Sequence, residues 1–139
     1  MKIAVSAMGN NLDAMIDPRF GRCAYFIIVN IENKEIKNFE ALKNQGVNAT
    51  GGAGIQAAQL VASKDVKVII SGNIGPNAFG ILSQTRIKVV TGVGGISVKD
   101  SVERYLKGEL KETSTPTTVL GPGRGTGRGL GRRKWQTAG

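Results

Sequence analysis

Short β-branched apolar runs separated by polar loops dominate the first third of the chain. Lys2-Ile-Ala-Val-Ser6 has the pattern of a buried strand, and Tyr25-Phe-Ile-Ile-Val-Asn-Ile31 is apolar on both alternating faces, as a strand covered on both sides should be. Glu32-Asn33-Lys34 makes a tight connection to Glu35-Ile-Lys-Asn-Phe-Glu-Ala41, whose polar admixture predicts an edge strand in a hairpin. Between the first two runs, residues 10–22 mix Gly, Asn, Asp and Pro with isolated Leu12, Met15 and Ile16, which predicts an irregular segment or a single helical turn.

Beyond a polar loop, 44–48, the period changes. Ile55, Ala58 and Ala62 have helical spacing behind a glycine-rich start. Val66-Lys-Val-Ile-Ile-Ser71 predicts a strand, and Gly75-Pro76 opens a second short helix with Phe79 and Leu82 toward the core. Ile87-Lys-Val-Val-Thr91 predicts a further strand. Val98, Val102, Tyr105 and Leu106 then mark an amphipathic helix, started by Ser97 with Asp100 three residues on and stopped by Gly108.

The predicted order is β-β-β-α-β-α-β-α. Right-handed crossovers make the first, fourth and fifth strands parallel, and the hairpin sets the second antiparallel beside the first. The expected fold class is α/β: a ribonuclease H-like single domain with a five-stranded mixed sheet of order 3-2-1-4-5, strand 2 antiparallel, and helices on the sheet faces. That domain should span residues 1–112, with a flexible Gly/Arg-rich basic tail over 113–139.

A length of 139 residues suits one such domain. With no histidine and a single cysteine, Cys23, the chain can build neither a Cys/His zinc site nor an intrachain disulfide. Lacking a secretory h-region and any apolar run of about 20 residues, it is expected in the cytoplasm and away from membranes. The net charge is +9, and Arg124, Arg128, Arg132, Arg133 and Lys134 place +5 of it in residues 121–139. The body keeps +4, which favours anionic partners without naming one.

Three segments carry candidate chemistry. Thr50-Gly-Gly-Ala-Gly54 and Gly72-Asn-Ile-Gly-Pro-Asn-Ala78 precede predicted helices, whose free N–H groups and dipoles attract anions; the same glycines also serve tight turns and close packing. Neither matches the P-loop or the dinucleotide fingerprint. Asp17-Pro-Arg-Phe-Gly-Arg-Cys23 brings two guanidinium groups near the only thiol, a setting that favours a thiolate and hence a soft-metal ligand; a small buried cysteine at a strand entrance is the alternative.

These three motifs, in this order and spacing, resemble the dinitrogenase iron-molybdenum cofactor biosynthesis family over residues 1–110. The resemblance implies a ribonuclease H-like fold and non-enzymatic binding, storage or transfer of an anionic metal-sulfur cluster: iron-molybdenum cofactor, its iron-sulfur precursor or a related cluster, carried as cargo between donor and acceptor proteins. Some relatives have a histidine where this chain has Arg19, so histidine ligation is not carried over. The expected site comprises Arg19, Arg22, Cys23, Gly51, Gly52, Gly54, Asn73, Gly75 and Asn77, with Cys23 as the one metal ligand. A single thiolate falls short of a four-cysteine iron-sulfur site, so polar groups must do the holding.

Competing functions are a metal-dependent nuclease, whose converging carboxylates the predicted strands lack; nucleic-acid binding through the Gly/Arg tail and Trp135; and a cofactor-free interaction module using the edge at 35–41.

Overall fold

Alternation within the N-terminal runs sets up the sheet. The computed structural model describes residues 1–44 and 52–113. In it β1 (Lys2–Ala7), β2 (Tyr25–Glu32) and β3 (Glu35–Lys43) form an antiparallel meander, with Ile3 opposite Val29 and Val29 opposite Phe39. The β2–β3 turn places Asn33 and Lys34 at φ of 54° and 62°, the left-handed backbone that lets a two-residue turn follow the twist of its strands.

The period then lengthens as the chain alternates helix and strand: α1 (Ala53–Ala62), β4 (Val68–Ile70), α2 (Pro76–Gln84), β5 (Lys88–Val90) and α3 (Val98–Leu106). β4 adds parallel to β1 and β5 parallel to β4, which gives the expected order β3-β2-β1-β4-β5. The last two strands are shorter than their apolar runs. Their parallel ladders match over three rungs, and the flanking Lys67 and Ser71 make single bonds to Lys2 and Val90 carbonyls instead.

Side chains alternate across this sheet into two apolar layers. Ala4, Phe26, Ile28, Ile69 and Val89 face α1 and α2, while Ile3, Val5, Ile27, Val29, Val68, Ile70 and Val90 face Val98 and Val102 of α3. α3 is capped as its sequence implies: Ser97 Oγ accepts the Asp100 N–H at 3.1 Å, and Gly108 ends the helix at φ 79°. Among the described residues no helix is long and apolar enough to cross a membrane.

The parallel strands β1, β4 and β5 end toward the same edge, where open α/β sheets place their ligands. Two glycines bring the segments there into contact. A Cβ on Gly21 would lie 2.8 Å from the Gly54 amide nitrogen, and one on Gly72 only 2.6 Å from Pro18 Cα. Gly72→Ala is therefore expected to lower stability by about 1–3 kcal/mol through backbone overpacking, read as a lower urea midpoint at unchanged m-value.

Candidate anion-binding groove

The loop after β1 is anchored at both ends by groups that cannot reach water. Ser6 Oγ, buried on β1, donates to the Asp17 carbonyl at 2.7 Å and lies 2.8 Å from the Ser71 hydroxyl at the end of β4. Phe20 is 2% exposed and packs on Phe26 with ring centroids 5.2 Å apart and planes at 57°. Between these anchors the backbone bridges to the β4–α2 loop: the Asn73 N–H donates to Pro18 O at 2.8 Å, and the Phe20 N–H to Asn73 O at 3.3 Å.

Arg19 consequently stands at the surface, its side chain 67% exposed, on a buried partner. Asp17 Oδ1 accepts the Arg19 backbone N–H at 2.9 Å and Nε–H at 3.1 Å, and Oδ2 accepts Nη2–H at 3.1 Å. That hydrogen bonding, then the carboxylate's charge, raises the guanidinium pKa above its ordinary value, so Arg19 is always cationic.

Two helices begin beside it. α1 follows Gly52, which sits at φ 72°, and α2 follows Gly75 with Pro76 in its first turn; neither has a side-chain cap or an acidic residue in its first turn. The first intrahelical bonds run from the Gln56 N–H to Gly52 O and from the Phe79 N–H to Gly75 O. The amides of Ala53, Gly54, Ile55, Asn77 and Ala78 precede them and have no intrahelical acceptor. Gly54 lets the two helix starts approach, since its Cβ would already lie 3.4 Å from Ala78 Cβ.

Between the helix starts and the loop lies a groove of about 330 Å³, whose only charged lining residue among those described is Arg19. Positive helix ends and a cation, with no carboxylate among the described lining residues, suit it to an anion. A larger cavity of about 710 Å³ lies against β3 and α3, but Asp13, Glu35, Glu103, Lys34 and Lys99 line it with both signs, and the α3 start is already capped by Ser97. The smaller groove has the more directed chemistry.

The family model described as dinitrogenase iron-molybdenum cofactor matches residues 1–108. The chain belongs to the dinitrogenase iron-molybdenum cofactor family. An uncharacterized protein of Methanocaldococcus jannaschii, MJ0580, is 39% identical over 112 residues, covering 81% of this chain and 91% of its own. The apo form of the orange protein (ORP) from Desulfovibrio gigas superposes with a TM-score of 0.79 at 36% identity, over 84% of this chain and 96% of that one. The NifB-like Thermotoga protein TM1290 gives a TM-score of 0.72 at 32% identity, over 86% and 98% of the two chains.

Of the site residues expected in this family member, Arg19, Gly52, Gly54, Asn73, Gly75 and Asn77 line the one groove. Arg22 is exposed on the same loop but outside that lining, and Gly51 lies outside the described residues. Cys23 is placed apart from these residues. Its side chain is fully buried, its thiol donates to Phe20 O at 3.4 Å, and it packs with Phe20, Phe26 and Ala57 beneath the groove rather than in it. Burial, then the nearby Asp17 charge, pushes the thiol up to about 12, against the opposing effect of hydrogen bonds including that from Asn44. Burial therefore works against the thiolate that neighbouring arginines would favour, and Cys23 is not among the residues lining the groove.

Residue type alone missed Asp17, Phe20 and Asn44. Asp17 has a local signature, an Asp two residues before an Arg whose N–H it accepts in an Asx turn. Asn44, 1% exposed, holds the other end of the loop by donating through Nδ2 to the Gly21 and Cys23 carbonyls at 3.1 and 2.9 Å.

Proposed function

We propose that this protein binds and passes on an anionic metal-sulfur cluster, of the iron-molybdenum cofactor or precursor class, as a non-enzymatic carrier on a ribonuclease H-like domain. The observation that carries this reading is the convergence of two helix starts without side-chain caps and Arg19 on one groove, with no carboxylate among its described lining residues. Membership in a cofactor family and a relative solved in an apo form support it.

The donor set defines how such cargo is held. Amide N–H groups, the guanidinium and the Asn73 and Asn77 side chains donate hydrogen bonds; none can displace a sulfide or thiolate from a metal. They fit a cluster that arrives with its ligand set complete, and they do not fit one that needs a cysteine from this chain. Release then requires no metal-ligand bond to break, as suits passage between a donor and an acceptor protein.

Anaerobic titration with tetrathiomolybdate, a dianion that brings all its sulfur ligands, is expected to saturate at one site. Arg19→Ala should weaken binding about 10- to 150-fold, the range for a lost charge-assisted hydrogen bond of about 1.5–3 kcal/mol. Cys23→Ala should bind like the parent. Equal affinity in parent and Arg19→Ala, or loss of binding in Cys23→Ala alone, would overturn the reading.

A further inference from the structure

Asp17 is the one buried charged residue among those described, its side chain 3% exposed. A buried carboxylate is costly unless its oxygens are satisfied. Here both are, and all three side-chain bonds given to it come from Arg19. A two-point contact through Nε and Nη2 fixes the plane of the guanidinium as well as its position. The Asp17 main chain is itself tied to the sheet by Ser6 Oγ–H, so a continuous set of short bonds runs from β1 through Asp17 to Arg19 at the groove.

Resting on the groove reading above, we infer that Asp17 is a positioning residue that sets how the groove recognises its anion. It holds Arg19 toward the helix starts while offsetting its charge. An anion is then selected by the directions of N–H donors rather than by a bare positive field. Without the Arg19 guanidinium, the same carboxylate, buried behind the groove and still accepting the residue-19 backbone N–H, would act on the ligand as an uncompensated negative charge and repel it.

This predicts that one substitution has opposite effects in two backgrounds. Tetrathiomolybdate affinity is measured for the parent, Asp17→Asn, Arg19→Gln and the double variant, each confirmed folded by its thermal transition. Asp17→Asn should weaken binding about tenfold in the parent, because Arg19 loses its two-point hold. In the Arg19→Gln background Asp17→Asn should instead strengthen binding, because it removes the uncompensated charge.

If Asp17 only supports the loop, Asp17→Asn weakens binding in both backgrounds; if it acts only as a charge, it strengthens binding in both. Either result overturns the inference while leaving the groove in place. Equal affinity in all four proteins would remove the groove reading itself.

Discussion

Replacing Phe20 by alanine is expected to cost about 3–5 kcal/mol and to release the groove's cation at the same time. The stability loss follows from position: the ring is 2% exposed, packs on Phe26 at 5.2 Å, and belongs to the layer beneath α1 and α2. The functional loss follows from its place in the chain. Phe20 directly follows Arg19, and its N–H bonds to Asn73, so the ring is the weight that keeps the Arg19–Asn73 bridge closed. Ile27→Ala separates the two effects. It empties a fully buried site on the opposite sheet face, so it should lose about 2–5 kcal/mol yet bind tetrathiomolybdate as the parent does wherever it is folded. Urea unfolding beside anaerobic titration reads both quantities, and unimpaired binding by folded Phe20→Ala would show that the loop holds Arg19 without its anchor.

The sheet was legible because its signals are local and repeated. Two alternating runs joined by Asn33-Lys34 specify a hairpin, and helix-period segments between the later apolar runs specify parallel crossovers, so few strand orders remained. The glycine-rich helix starts were legible for the same reason, and the fold brings Gly52, Gly54, Gly75 and Asn77 to one groove. Side-chain direction in the irregular loop was not legible. Cys23 follows Arg22 in sequence, but Phe20, Cys23 and Phe26 all enter one core layer, so the sulfur meets aromatic rings and the Asp17 charge while Arg22 faces outward. No local pattern announces Asn44, whose bonds to the Gly21 and Cys23 carbonyls span 23 and 21 residues of chain.

The buried thiol makes a second large effect, in stability rather than binding. In the folded protein Cys23 is pushed from an ordinary value of 9.0 up to about 12, first by burial and then by Asp17. Below pH 9 the thiol is neutral in both folded and unfolded chains and adds no pH dependence. As pH rises from 9 toward 12, the unfolded chain sheds this proton while the folded one keeps it. Stability must then fall by about 1.4 kcal/mol per pH unit, because the state binding fewer protons is favoured. The quantity to follow is the parent's stability minus that of Cys23→Ala, which isolates the thiol. That difference should be flat below pH 9 and decline steeply above it, with native Cys23 reacting far more slowly with iodoacetamide at pH 8 than the same thiol in urea. A flat difference up to pH 11, together with rapid alkylation of the native protein, would mean that the sulfur reaches solvent and would return it to the groove as a ligand.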